Sequence, residues 1–142
     1  RYQERIQFSV EEDLVAVCLG RRGANVRKAR GLPGVGLVEC IPLPSGGHRF
    51  VVTAKTDSQA AAARELVEHV RVRVPIKRED MAGICGRNKM HLKAVQRAAK
   101  LASIKVTGKK EVYVDLVGTR PAVAAGTRML ANGEKSSRRL RR

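Results

Sequence analysis

The sequence predicts an α+β fold in which a β-α-α-β-β-α unit occurs twice, each with a three-stranded antiparallel sheet packed on three helices. The main observation is a repeat. Gly20-Arg21-Arg22-Gly23 has a second version 66 residues later (position 20 to position 86), Gly86-Arg87-Asn88-Lys89. Each copy ends an apolar, helix-like stretch and begins a second helical pattern. The chain has 142 residues, of which 43% are hydrophobic, and this allows two small units of about 70 residues, each with its own core.

The elements of the first unit follow from alternation, an acidic helix start and turn residues. Residues 6–10 alternate as a strand, and Glu11-Glu12-Asp13 supplies an acidic first turn, which the helix dipole favours. The apolar stretch that follows predicts a helix to Leu19. The remaining predicted elements are a helix over 25–30, strands over 37–43 and 50–55, and an Ala-rich helix over 59–70.

The second unit repeats this order. Residues 70–74 alternate Val and Arg as a strand, which Pro75 ends. Helices are predicted over 78–85, 90–100 and 121–130, with a hairpin over 104–107 and 111–117. No linker is visible between the copies. The expected domains are residues 5–71, residues 72–133 and a basic tail, 134–142, whose low apolar content predicts disorder.

The charge of the chain predicts a polyanionic partner. The formal net charge is +16 and the isoelectric point is near 10.9. Residues 1–72 contain 11 Lys and Arg against 8 Asp and Glu, whereas residues 73–142 contain 18 against 5. This excess is more than solubility requires, and it favours nucleic acid as the partner.

The sequence offers no motif for catalysis, a metal, a cofactor or a membrane span. Cys18, Cys40 and Cys85 are too far apart for a zinc motif and fit a reduced, intracellular protein. The acidic cluster 11–13 is better explained as a helix start than as a metal site. No apolar run approaches the ~20 residues that a membrane span needs. We therefore expect a non-enzyme. Because the chain begins with Arg1, we also expect it to be a piece of a longer protein.

The Gly-x-x-Gly turn is the predicted RNA contact. Two glycines let the backbone approach phosphates, and the helix behind them directs its amides toward the same place. With no Trp, two Phe and two Tyr, the chain lacks the stacking platforms of other RNA-binding folds. The predicted RNA-binding residues are Gly20, Arg21, Arg22, Gly23, Ala24, Asn25, Arg27 and Lys28 at the first turn, Val15, Leu19, Val38 and Cys40 as an apolar floor, and Gly86, Arg87, Asn88 and Lys89 at the second turn.

This element order with a helix-turn-helix Gly-x-x-Gly resembles the eukaryotic-type (type I) KH domain, whose loop clamps about four nucleotides. The segments 10–14, 23–25, 29–30 and 33–35 resemble the first KH domain of the fragile X messenger ribonucleoprotein family, and Val74-Pro75 and residues 82–87 are similar to its second. The resemblance covers residues 6–131. It implies tandem type I KH domains in a cytoplasmic translational regulator that associates with mRNA and ribosomes; shuttling to the nucleus is a further expectation.

Lys89 departs from the family pattern, which has Gly at this position. A side chain there disfavours a positive φ and blocks the closest backbone approach. We therefore expect the first unit to bind single-stranded RNA and the second to act as a basic surface or packing partner. The alternative is a non-catalytic scaffold or a ribosome-bound component that contacts proteins, rRNA or a second copy of itself.

Overall fold

The computed structural model describes the backbone of residues 1–141 and the side chains of residues 1–133. The chain divides into two compact units, Arg1–His69 and Val70–Arg142, which we call the first and the second unit. The first unit contains β1 (Glu4–Val10), α1 (Val15–Leu19), α2 (Ala24–Arg30), β2 (Val35–Pro42), β3 (His48–Ala54) and α3 (Asp57–Val67). The second unit contains β4 (Val70–Ile76), α4 (Met81–Cys85), α5 (Met90–Ala99), β5 (Ser103–Thr107), β6 (Val112–Gly118) and α6 (Arg120–Arg141).

Each unit has one antiparallel sheet of three strands, with the last strand of the unit in the centre. The strand orders are β1-β3-β2 and β4-β6-β5. Phe8 on β1 lies opposite Phe50 on β3, and their rings stack with centroids 5.3 Å apart. Val74 and Val114 occupy the equivalent pair in the second unit. Alternate residues of each strand face the helices, as the period of two requires.

Both cores are built from the inward strand residues and one face of each helix. The buried hydrophobic residues of the first unit include Phe8, Val10, Leu14, Cys18, Val26, Val38, Phe50, Val52, Ala63 and Val67. Those of the second unit include Ile76, Ile84, Leu92, Val95, Leu101, Val114, Leu116, Val123 and Leu130. No helix in the described part of the chain is long and apolar enough to cross a membrane.

The predicted fold class, two tandem type I KH domains, is corrected to one α+β fold that contains two three-stranded antiparallel sheets. Boundaries between tandem domains usually fall in exposed, flexible linkers. Here only Glu68 and His69 lie between α3 and β4. The Glu68 amide donates to the carbonyl oxygen of Arg64 at 2.7 Å, and the His69 amide donates to the sulfur of Cys18 at 3.4 Å. Both connecting residues are therefore held in the first unit.

The last helix is longer than the sequence predicted. We expected it to end near Asn132-Gly133 and the tail 134–142 to be disordered, but the backbone is helical to Arg141. A glycine inside a helix costs only about 1 kcal/mol relative to alanine, and Lys and Arg are good helix formers. The side chains of the tail and the whole of Arg142 lie outside the described residues.

Candidate nucleic-acid interface

The first turn is a left-handed reversal between α1 and α2. Gly20, Arg22 and Gly23 have φ values of 78°, 55° and 73°. The Gly23 amide donates to the carbonyl oxygen of Gly20 at 3.0 Å. A Cβ on Gly20 would lie 2.7 Å from Cγ of Asn25, so both the backbone angle and the close approach of α2 require glycine there.

The second turn has the same backbone shape, although its last residue is not glycine. Gly86, Asn88 and Lys89 have φ values of 71°, 53° and 58°. Lys89 adopts the left-handed conformation although a side chain there disfavours it, at a cost of about 1 kcal/mol. The flanking helices, with Gly86 packed against His91, hold the turn in this shape.

The second residue after each turn, Asn25 or His91, is placed differently in the two units. Asn25 donates from Nδ2 to the carbonyl oxygen of Val17 at 3.0 Å, and this bond ties the end of α1 to the start of α2. His91 occupies the equivalent position in the second unit. Its Nε2 is buried and has no hydrogen-bond partner among the described residues. The first turn is therefore tied more firmly than the second.

The predicted apolar floor of the first unit is buried in part. Val38 is completely buried and Val15 is 8% exposed, whereas Leu19 and Cys40 are half-buried. Arg30 reaches across from α2 and donates from Nη2 to the carbonyl oxygen of Val38 at 2.9 Å. The side chains of Arg21, Arg22, Arg27 and Lys28 are exposed, but the guanidinium of Arg27 donates back to the carbonyl oxygen of Arg22. The structure thus brings the charged residues to the surface and places Arg30 across the buried Val38.

The second unit has an open groove at the corresponding place. A cavity of about 340 Å3, which we call the groove cavity, lies between α5 and β5 beside the second turn. It is lined by Lys89, Leu92, Lys93, Gln96, Ile104, Lys105 and Val106. Shifted back by 66 residues (89 to 23), these are the positions of Gly23, Val26, Arg27, Arg30, Val38, Glu39 and Cys40. The predicted site included only Lys89 of the lining residues. Shifting the predicted residues Arg27, Val38 and Cys40 by 66 positions identifies Lys93, Ile104 and Val106, whereas Leu92, Gln96 and Lys105 have no predicted counterpart.

The groove cavity combines positive charge with an apolar floor. Lys89, Lys93 and Lys105 are exposed at its rim. The floor residues are Leu92, which is 3% exposed, together with the half-buried Ile104 and Val106. Such a groove can hold a flat, uncharged ring next to an anionic group. Arg87 and Asn88 are exposed at the turn beside it and do not line the cavity.

The three thiols are not activated. Burial raises the pKa of Cys18 to about 11, against the opposing effect of the His69 amide. Burial also raises the pKa of Cys40 and of Cys85, although the charge of Lys89 acts in the other direction on Cys85. All three are neutral thiols at neutral pH. Among the described residues, no three His, Cys, Asp or Glu side chains form a group that could hold a metal ion.

A scan against models of known protein families finds no match for this chain. Among solved structures, the chain is similar to Dim2p from Pyrococcus horikoshii, with 13% identity and a TM-score of 0.46 over 96% of this chain and 99% of that one. It is also similar to a chain in the a/eIF2alpha–aDim2p–rRNA complex from the same organism, with 14% identity and a TM-score of 0.46 over 96% and 91%. A protein of unknown function from Aeropyrum pernix has 12% identity and a TM-score of 0.39 over 97% and 93%.

The chain fits a KH fold, on the evidence of its element order and of the glycine turn between two helices. Membership of the fragile X family, which the sequence predicted, has no support in these comparisons.

Proposed function

We propose that this chain is a non-catalytic protein that binds single-stranded RNA in the groove cavity of the second unit. One observation carries the proposal: three lysines, Lys89, Lys93 and Lys105, surround an apolar floor beside a left-handed turn. Single-stranded nucleic acid presents this pair of chemistries, since a charged backbone alternates with flat bases.

Each part of the groove cavity has a role in this proposal. The lysine ammonium groups would contact successive phosphates, and each contact releases close to one counterion. Ile104 and Val106 on β5 would support a base from one side, while Leu92 on α5 supports it from the other. No aromatic residue lines the cavity, so apolar packing and hydrogen bonds to base edges would replace ring stacking.

The first unit has a supporting role in this proposal. Its turn carries the exposed Arg21 and Arg22, which suit a phosphate contact, but Arg30 covers the floor beside it. Glu39 stands where the second unit has Lys105 and would repel an RNA backbone. We therefore rank the second unit above the first, which reverses the order expected from the glycine pattern.

The test is a titration of fluorescently labelled oligouridylate and oligoadenylate, followed by anisotropy at several salt concentrations. Lys89→Ser, Lys93→Ser and Lys105→Ser should each weaken binding and lower the salt slope by about 1. Arg21→Ser and Arg22→Ser should have smaller effects, because Arg30 is bonded across Val38 in the groove beside them.

The matched control is Lys100→Asn, at the far end of α5. Lys100 has a φ of 61°, which asparagine tolerates, and it does not line the groove cavity. Its replacement removes one charge and should leave the slope almost unchanged. If the three groove variants and this control lose affinity equally, the binding reflects net charge alone and the groove proposal is wrong.

The ligand of the groove cavity could be mRNA or rRNA, and the two imply different roles. The fragile X resemblance implies mRNA and translational regulation in the cytoplasm, whereas a ribosome-bound role implies rRNA. A displacement assay distinguishes the two roles. Unlabelled mRNA and rRNA fragments of equal length compete with the labelled strand for the protein. Preferential displacement by rRNA fragments would exclude the mRNA regulator.

A scaffold is the second candidate, because the outward face of β2 exposes two large apolar residues. Leu37 is 43% exposed and Ile41 is 40% exposed, and apolar exposure of this kind can contact a protein. A scaffold would retain its protein partner in all three lysine variants and lose it in Leu37→Asp. Retention of RNA binding in Leu37→Asp would favour the groove proposal.

A further inference from the structure

A second and larger cavity lies in the second unit, where β4 ends and the β5–β6 hairpin turns. It measures about 680 Å3, and we call it the hairpin cavity. Its lining residues are Pro75, Ile76, Lys77, Arg78, Glu79, Lys110, Glu111, Val112 and Tyr113. It shares no lining residue with the groove cavity, so the proposed RNA site does not account for it.

The hairpin cavity has an aromatic ring held in a fixed position. The Tyr113 hydroxyl is hydrogen-bonded to the carboxylate of Glu111, which raises the pKa of the phenol. The guanidinium of Arg73 lies 5.2 Å from the ring centroid. Pro75 is the cross-strand partner of Tyr113 and lines the cavity beside it. A ring that is fixed by a hydrogen bond at its hydroxyl and by a guanidinium over one face, next to a proline, is a platform on which a base can stack at little entropic cost.

Cations surround this platform. Lys77, Arg78 and Lys110 line the cavity, and all three are exposed. Arg78 donates from Nε to the carbonyl oxygen of Lys110 at 3.5 Å, which links the hairpin to the turn after β4. Glu79 and Glu111 also line the cavity, so its lining carries three cations against two carboxylates. The remaining positive charge favours a phosphate near the ring.

The first unit has residues of opposite charge, and no aromatic ring, at the equivalent positions. Ser9 pairs with Arg49 where Pro75 pairs with Tyr113, so the proline and the ring are both missing. Acidic Glu11 and Glu12 stand where the second unit has Lys77 and Arg78. Glu12 is used structurally, since its carboxylate accepts a hydrogen bond from the Gly47 amide at 3.1 Å. The basic residues and the ring of the hairpin cavity are thus not required by the fold.

We propose that the hairpin cavity binds one further unpaired nucleotide of the RNA strand, with its base on Tyr113 and its phosphate on Lys77, Arg78 and Lys110. This inference rests on the proposed RNA binding and adds a second contact with different chemistry. A nucleotide within an RNA strand and a free mononucleotide would offer the same base and phosphate. We propose that the nucleotide belongs to a bound strand.

The test uses the tyrosine emission of the chain, which has two Tyr and no Trp. In Tyr2→Phe, only Tyr113 emits, and its emission should fall in step with the anisotropy of a labelled oligonucleotide. In the matched variant Tyr113→Phe, only Tyr2 emits, and its emission should stay constant. The second variant also corrects for absorption by the RNA. Uridine monophosphate and adenosine monophosphate should leave the Tyr113 emission unchanged, and equal quenching by them would overturn the assignment to a strand.

Two substitutions measure the contribution to affinity. Tyr113→Ala should weaken binding about tenfold, the loss typical of one stacked base. Lys110→Ser should lower the salt slope by about 1, whereas the neighbouring Lys109→Ser, which does not line the cavity, should leave it unchanged.

The emission separates failure of this inference from failure of the proposed function. Normal anisotropy with constant Tyr113 emission would overturn the hairpin contact and leave RNA binding in the groove intact. If no oligonucleotide changes the anisotropy at all, both proposals fail.

Discussion

The two glycine turns share one backbone shape, whereas the grooves beside them have opposite character. The φ values are 78°, 55° and 73° in the first turn and 71°, 53° and 58° in the second. This agreement survives the change from Gly23 to Lys89. The flanking helices therefore impose the shape of the turn, and a residue that costs about 1 kcal/mol there can be tolerated.

The grooves differ because single side chains decide whether they are open. In the first unit Arg30 bonds to the carbonyl oxygen of Val38 at 2.9 Å and covers the floor. In the second unit the equivalent Gln96 bonds to the carbonyl oxygen of Ala102 at 3.2 Å, and Ile104 lines an open cavity. Conservation of a turn between two units is thus no guide to which of them binds a ligand.

The largest expected effect tests the shape of the first turn. Gly20→Ala should lower the free energy of unfolding by about 3 kcal/mol, because a Cβ would lie 2.7 Å from Cγ of Asn25 and the φ is positive. Gly23→Ala is the matched control. It should cost only about 1 kcal/mol, since its Cβ would meet nothing nearer than Nη1 of Arg27 at 3.6 Å. Urea denaturation measures both, and equal losses would show that crowding by α2 is unimportant.

The next largest effect is expected from substitutions that exchange the charges at equivalent positions of the two grooves. Lys105→Glu should weaken RNA binding about tenfold, or about 1.4 kcal/mol, because it removes one phosphate contact and adds a repulsive charge. The reciprocal change, Glu39→Lys, should strengthen binding by less, since Arg30 still covers the first groove. Anisotropy titrations at one salt concentration suffice. A larger gain from Glu39→Lys than the loss from Lys105→Glu would place the main site in the first unit.

A smaller effect concerns the fourth residue of the turns. Lys89→Gly should raise the stability of the second unit by about 1 kcal/mol, because glycine adopts a positive φ without strain. The same substitution should weaken RNA binding through loss of a charge. Gly23→Lys should lower the stability of the first unit by a similar amount. Hydrogen exchange resolves the two units, and no stability gain in Lys89→Gly would mean that the lysine side chain stabilises the turn by its packing.

The smallest effect is a pH dependence in the second unit. Arg73 bonds to Asp115 at 2.9 Å and holds the pKa of that carboxyl below its ordinary value. The stability that this pair contributes is therefore present above the ordinary carboxyl pKa and is lost as the pH falls through the lowered one. Gln7 and Val51 occupy the equivalent pair in the first unit, which lacks this dependence. Asp115→Asn should remove the acid sensitivity of hydrogen exchange in β6, and persistent sensitivity would assign it to other carboxyls.

The positions of most strands, helices and turns could be predicted from the sequence. Alternation located β1 and β4, and the glycines located both turns, because these signals depend on neighbouring residues only. The prediction that Pro75 ends β4 was wrong, since Pro75 pairs with Tyr113 and the strand runs to Ile76. The end of α6 was missed, since Asn132-Gly133 is a local stop signal that the helix passes through. The groove cavity was not predicted, because the two glycines of the first turn favoured the first unit as the RNA site. The lysines beside the second turn, Lys93 and Lys105, were not recognised as part of a site.

The amino-acid order was enough to establish a basic α+β protein with a repeated unit and two exposed turns between helices. Only the folded chain decided which groove is open and where a tyrosine platform lies. Both depend on residues that meet after helices and strands have packed, such as Arg30 with Val38 and Tyr113 with Pro75. Such contacts depend on distances between elements, and no local pattern in the sequence encodes those distances.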